Sequence, residues 1–289
     1  MTIRFLKMQG AANDFVVVDH RLPFLPAEEA RLAPLIRRLC DRRRGVGADG
    51  VLLLERDATV DFAMRYFNAD GHPADFCGNG ARCLARLALD LGLGSGGEVR
   101  FATAAGLQRA RFSADGRAIE LLFGTVDGAG PVETIPALAR IFGGRRVLTG
   151  VPHFVVPVAR VDAVPVAVWG AALRHHPAFG AGGTNVDFVA RLGPAHLAMR
   201  TYERGVESET LACGSGAMAS ALWSVAEGDR PPITVVTAGG DLLTVGLIAV
   251  AGGSGPRWEV RLTGPAEVAY RGEWQGEWTE AAPDVVTRA

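Results

Sequence analysis

Apolar residues along this chain fall in short runs, closed off by glycine, proline or a charge after about five positions. Runs of that length with β-branched and aromatic content predict strands rather than helices. The clearest are "DFVVVD" (14–19), "GVLLLE" (50–55), "MRYFN" (64–68), "EVRFAT" (98–103) and "AIELLF" (118–123). The same style resumes with "HFVVPV" (153–158), "NVDFVA" (185–190), "MRTYE" (199–203), "ITVVTA" (233–238) and "EVRLTG" (259–264). Helical spacing stands out in two places. After Cys77, Leu84, Leu87 and Leu91 recur before Gly92; after Cys213, Ala219, Leu222 and Trp223 recur before Gly228. The expected fold class is therefore mixed α/β (α+β), with many strands and two helices that each begin at a cysteine.

The pattern also repeats itself. "MRYFNADG" from Met64 and "MRTYERG" from Met199 both read as a strand followed by a turn that closes on Gly71 or Gly205. "CGNGAR" follows the first turn and "CGSGAM" the second. Such internal similarity predicts two related lobes. The Gly/Pro-rich stretch 124–136, "GTVDGAGPVETIP", is the best linker by composition.

Composition then excludes several classes. The 289 residues suffice for two ordinary domains, with 48% hydrophobic and 21% charged residues. A net charge of −1 leaves no basic footprint for nucleic acid, and no apolar run is long enough for a membrane helix. The polar N-terminus does not read as a secretory signal, so a cytoplasmic location is expected. Lys7 is the single lysine, with nothing like a phosphate cradle beside it, which argues against a Schiff-base cofactor. The cysteines Cys40, Cys77, Cys83 and Cys213 show no C-x-x-C spacing, which gives little support to a metal site.

The two repeated cysteines carry the chemistry. A helix N-terminus offers backbone N–H groups and a partial positive charge, and glycine lets an anion come close. Two such ends facing each other would grip the carboxylate of an α-amino acid and lower the pKa of the neighbouring thiols. One thiolate could then take the Cα proton while the other thiol returns one on the opposite face, inverting the centre. Simpler readings stay open beside this one. Cys40 and Cys83 read as packing, and a structural disulfide between Cys77 and Cys213 is a further alternative. Arg204 suits a carboxylate but also a surface ion pair; Asn13 and Asn68 suit turns; His153 suits a structural role.

Taken together, "MQGAANDFVVVD" (8–19), "GVGADG" (45–50), "FNADG…CGNGAR" (67–82), "PHFVV" (152–156), "TNVDFV" (184–189) and "TYERG…ACGSGA" (201–217) resemble the diaminopimelate epimerases. These are cofactor-independent enzymes of bacterial lysine and peptidoglycan precursor synthesis, and the resemblance covers nearly the whole chain. It implies Cys77 and Cys213 as the acid–base pair, with His153 and Glu203 close to the reacting centre. It implies Gly78, Asn79, Gly214 and Ser215 as carboxylate-binding positions, and Asn13, Asn68, Asn185, Glu203 and Arg204 as further substrate contacts. Each lobe is expected to be a curved, mostly antiparallel sheet or barrel around a central helix. The first lobe would comprise 1–126 plus about 266–289 and the second 127–265. The resemblance also implies a homodimer with Tyr270 at the interface. Three positions depart from the family pattern: Val151 where many members have Asn, Ser208 where Gly is usual, and Gly50 where some have Gln. Val151 leaves open a racemase or epimerase of another amino acid. A thiol hydrolase or acyltransferase pairing a cysteine with His153, and a silent amino-acid-binding protein, are the rivals of other classes.

Overall fold

The structure, a computed structural model, describes residues 2–252 and 255–276. The chain forms two compact units, one running to Phe112 and resuming at Ala266, the other spanning Ser113–Pro265.

The first unit contains β1 (Thr2–Gly10), β2 (Asn13–Asp19), α1 (Glu29–Cys40), β3 (Gly50–Glu55), β4 (Phe62–Asn68), the two-residue β5 (Pro73–Ala74), α2 (Gly78–Asp90), β6 (Glu98–Thr103) and β7 (Gly106–Phe112). The second contains β8 (Ile119–Asp127), β9 (Val132–Ala137), β10 (Arg140–Leu148), β11 (Pro152–Pro157), α3 (Val166–Arg174), β12 (Asn185–Gly193), β13 (His196–Glu203), β14 (Ser208–Thr210), α4 (Gly214–Ala226), β15 (Ile233–Val236), β16 (Leu242–Val250) and β17 (Arg257–Gly264). A last strand, β18 (Glu267–Gln275), belongs to the first unit and pairs antiparallel with β1. The remainder of the expected returning segment, 277–289, lies outside the described residues.

Both ladders follow one plan. In the first the order is β18–β1–β2–β3–β4–β6–β7, with β5 also beside β4. In the second it is β9–β10–β11–β12–β13–β15–β16–β17–β8, with β14 also beside β13. Each has a central parallel pair, β2/β3 or β11/β12. Parallel pairs are covered on both faces, which is why "FVVV" and "VLLL" are apolar without alternation. The strands β4 and β6 are likewise parallel, as are β13 and β15, and a parallel connection needs a crossover. Helices α2 and α4 are those crossovers. The cysteine before each helix therefore marks the point where the chain leaves a hairpin and dives beneath its own sheet.

Both crossover helices are central. Helix α2 packs against β1, β2, β3, β4, β6 and β7, and α4 against β10, β11, β12, β13, β15, β16 and β17. Every residue from Asn79 to Ala85 in α2 and from Gly216 to Ser224 in α4 is buried, as a helix wrapped by a sheet must be. Gly10 shows how close this packing is: a Cβ there would lie 2.9 Å from the Asn79 carbonyl oxygen and 3.3 Å from Cys83 Sγ.

The opposite sheet faces carry two helices that the sequence reading does not predict. Helix α1 buries Leu32, Leu35, Ile36 and Leu39 against Val16, Val18, Val51 and Leu53, despite Pro34 in its interior. Helix α3 lies over Phe154, Val186, Phe188 and Tyr202. The linker expectation is also corrected. Residues 124–136 include the end of β8 and most of β9, and Thr125, Val126 and Asp127 pair with β17. The chain changes unit between Phe112 and Ser113 instead. Glycine-rich composition there marks irregular strand ends and a turn, not a boundary.

Candidate active site

Cys77 and Cys213 occupy the N-cap positions of α2 and α4, with extended backbone angles. Their carbonyls accept the first helical bonds, from Ala81 N–H at 2.8 Å and Ala217 N–H at 3.0 Å. The first-turn N–H groups of a helix have no intrahelical acceptor, and in both lobes they belong to Gly-x-Gly. Both thiols are free, as are Cys40 and Cys83.

In the first lobe, the Cys77 thiol donates to Asn13 Oδ1 at 3.5 Å, and Asn79 Nδ2 approaches the same oxygen at 3.4 Å. Asn13 is held from behind: its Nδ2 donates to Asp49 at 2.6 Å. Asp49 in turn meets Arg42 at 2.7 Å, and Arg42 also meets Asp14 at 2.7 Å. Lys7 pairs with Asp14 at 2.6 Å and donates to the Gly47 carbonyl. Burial works against the Asp14 charge, but Arg42 and Lys7 outweigh it and hold that carboxyl well below its ordinary range. The only lysine is thus a structural counter-ion, three residues upstream of the helix-facing Gly10. Nothing local in the chain connects Lys7, Asp14, Arg42 and Asp49 with the site; their spatial clustering behind Asn13 does. Asn68, at the end of β4, accepts from Tyr66 Oη at 2.8 Å.

In the second lobe the surroundings are more acidic. Cys213 Sγ lies 3.4 Å from Ser215 Oγ, and Ser215 Oγ lies 3.0 Å from His153 Nε2. His153 Nδ1 is 2.7 Å from Asp187 Oδ2, with both side chains fully buried. Glu203 reaches Cys213 from β13. Burial, then the Glu203 and Asp187 charges, push the Cys213 thiol well above its ordinary value, while the Ser215 hydroxyl pulls the other way. Burial also raises Glu203, partly offset by its bond with Cys213 and by His153. The expected lowering of the thiol by the helix end is therefore overturned at Cys213: removing the sulfur from water beside two carboxyls outweighs the dipole. Burial thus favours the protonated form of both the thiol and the carboxyl. Cys40 and Cys83 are pushed up to about 12 by burial, as inert packing thiols are.

The remaining expected residues flank this cluster. Asn185 donates to the Pro152 carbonyl at 3.0 Å and accepts from the Arg204 backbone N–H at 2.8 Å, tying β11 to the β13 turn. Among the described residues the Arg204 guanidinium has no ion-pair partner. Ser208 costs nothing where it stands: it opens β14 opposite Glu203, and the left-handed residues of that turn are Gly205 and Glu207. Gly50 is closed to any side chain, since a Cβ would come within 2.5 Å of the Phe67 carbonyl oxygen and 2.7 Å of the Tyr66 ring. Asp187 and Thr201 were not singled out in the sequence, where both read as ordinary strand residues.

The family model described as diaminopimelate epimerase matches residues 5–127 and 146–246. The chain belongs to the diaminopimelate epimerase family. The diaminopimelate epimerase of Aquifex aeolicus is 39% identical over 286 residues, covering 96% of this chain and all of that one. That of Desulforudis audaxviator is 39% identical, covering 94% and 99%. Among solved structures, a PhzF-family phenazine biosynthesis protein of Bacillus anthracis aligns with a TM-score of 0.69 at 16% identity, covering 95% of this chain and 99% of that one. A probable proline racemase of Agrobacterium radiobacter aligns with 0.67 at 20%, covering 97% and 94%. The chain thus shares its fold with proteins whose sequences are only 16 and 20% identical to it.

Proposed function

We propose that the protein interconverts LL- and meso-2,6-diaminopimelate, with Cys77 and Cys213 exchanging protons on opposite faces of one α-carbon. Membership of the family and end-to-end identity with named epimerases support the reaction. The single structural observation that carries the residue assignment is the recurrence of a free cysteine at the N-cap of a buried crossover helix in both lobes. An enolate-like carboxylate would be stabilised by first-turn N–H groups at Gly78, Asn79, Gly214 and Ser215, where charge develops as the α-proton leaves. Glu203 and His153 set the protonation of the second thiol. Asn13 orients the first, while Asn68, Asn185 and Arg204 are assigned to the substrate's distal amino-acid end. Arg204 has its guanidinium available for a carboxylate. No metal or organic cofactor has a part in this scheme, because two thiols suffice for proton removal and return.

The test is exchange of the Cα proton of LL-diaminopimelate in deuterium oxide under reducing conditions, with meso product followed by chiral chromatography. Absence of both exchange and product rejects the reading. Val151 favours one alternative, a different amino acid on the same scaffold, because valine offers no hydrogen bond at the distal end. Faster turnover of a monocarboxylate amino acid would establish it.

Two further assignments belong here. No helix among the described residues is long and apolar enough to cross a membrane, and four free thiols suit a reducing cytoplasm. Strand β18 pairs only with β1 among the described strands and exposes Val268 and Tyr270, at 39% and 47%. An open edge of this kind invites pairing with a second copy, so a homodimer with Tyr270 at the interface is assigned, to be checked by light scattering of Tyr270→Arg.

A further inference from the structure

The two half-sites share a backbone plan but not a chemistry. In the first lobe Val16 pairs with Val51, and Leu52 pairs with Tyr66. In the second, Phe154 pairs with Val186, and Asp187 pairs with Thr201. Equating these registers places His153 where the first lobe has Phe15, Asp187 where it has Leu52, and Thr201 where it has Tyr66. The glycines above them agree. A Cβ at Gly80 would meet Leu52 and Phe15, at 3.0 and 3.4 Å; one at Gly216 would meet Asp187 Oδ1 and Thr201 Oγ1, at 2.4 and 3.2 Å. Beneath the Cys77 helix the sheet is therefore apolar, and beneath the Cys213 helix it carries a buried polar chain.

That chain is continuous and has a direction. Thr201 Oγ1 donates to Asp187 Oδ1 at 2.8 Å, fixing the carboxylate. A carboxylate can only accept, so Asp187 Oδ2 selects the imidazole tautomer with its proton on Nδ1. Nε2 is then an acceptor aimed at the Ser215 hydroxyl, and that hydroxyl sits beside the Cys213 sulfur. A buried aspartate in a sheet core is costly unless satisfied, and here it is satisfied by this chain.

We propose that Ser215 and His153 form a proton relay for Cys213, with Asp187 and Thr201 as positioning residues that orient the imidazole. The step balances without a co-reactant. The Cys213 S–H proton passes to Ser215 Oγ as the Ser215 hydroxyl proton passes to His153 Nε2. This leaves a thiolate and an imidazolium facing the Asp187 carboxylate; the reverse transfer restores the thiol. At the matching positions beneath α2 stand Phe15 and Leu52, which carry no proton, and the Cys77 thiol meets the amide of Asn13. Glu203 reaches Cys213 from another side and is a separate outlet for the same proton.

This inference rests on the reading of Cys213 as an acid–base thiol, and the experiment separates the two. Steady-state epimerisation is measured for Asp187→Asn, Ser215→Ala, the double variant, and Cys213→Ala, with circular dichroism to confirm folding. The relay requires kcat to fall at least tenfold in each of the first two, with KM within about twofold, since the Ser215 backbone N–H is retained. It also requires Asp187→Asn to add no further loss in the Ser215→Ala background, because both break one chain. Wild-type kcat in Asp187→Asn or Ser215→Ala, or losses that multiply in the double variant, overturns the relay. An active Cys213→Ala overturns the two-thiol reading itself. Should Asp187→Asn fail to fold, Thr201→Val takes its place in the same cycle.

Discussion

The glycines of the two helix starts allow the half-site geometry to be tested by a single methyl group. In Gly216→Ala the new carbon lies 2.4 Å from Asp187 Oδ1 and 3.2 Å from Thr201 Oγ1, so the carboxylate must move by about an ångström. Its bonds to His153 and Thr201 forbid that without loss. Overpacking costs about 1 to 3 kcal/mol and a weakened hydrogen bond to a buried charge about 1.5 to 3, against about 1 regained from helix propensity. The net expectation is a destabilisation of roughly 1.5 to 5 kcal/mol. The same change at Gly80 meets Leu52 methyl carbons at 3.0 and 3.3 Å, which a rotamer shift relieves, so the cost stays within about 1 kcal/mol. At Gly78 the nearest atom is 3.9 Å away, and alanine is tolerated or slightly stabilising. Urea unfolding of the three variants, followed by circular dichroism, gives the order directly. If Gly216→Ala is as stable as Gly80→Ala, the buried carboxylate does not lie beneath α4 as described, and the reasoning about the second half-site fails.

Brief iodoacetamide treatment of native protein at pH 8, mapped by mass spectrometry, should label Cys77 and spare Cys40 and Cys83, whose thiols burial holds near 12. Cys77→Ser and Cys213→Ser should each abolish full inversion while leaving the unfolding transition within about 1 kcal/mol of wild type, as a near-isosteric exchange allows. Glu203 is raised in the folded chain by burial, so the native state holds its proton more tightly than the unfolded state. Stability therefore falls as pH rises from the ordinary 4.5 through the raised value, and Glu203→Gln should remove that slope, gaining stability at neutral pH while losing turnover. Asp14→Asn leaves the buried Lys7 ammonium without its counter-ion and should cost about 3 to 5 kcal/mol, with turnover reduced through Asn13, as read by urea unfolding and initial rates.

Much of this protein was legible along the chain. Each predicted strand overlaps an observed one, because strands with a buried face, the parallel ones above all, leave short apolar runs that need no tertiary knowledge to see. The cysteine-led helices were legible from glycine on either side and leucine spacing within. Helix α1 was legible in principle, since Leu32, Leu35, Ile36 and Leu39 keep helical spacing, but Pro34 masks the signal. Proline in a helix is tolerated only when packing repays the lost bond, and packing is not written locally. Strands β1, β7, β16 and β18 escaped because edge and half-exposed strands mix polar and apolar residues according to which neighbour covers them.

The repeated motif, the pairing of cysteine with a helix start and the family were determined by sequence alone, because they depend on residues adjacent in the chain. What surrounds each thiol was decided only by tertiary structure. Asp187 and Leu52 stand at matching points of matching strands, and no local pattern says that one will lie beneath a reactive sulfur's helix, bound to a histidine on the next strand. Strand register makes that choice: it joins positions far apart in the chain at hydrogen-bond distance, and a shift of one residue would turn the aspartate to the other face of the sheet.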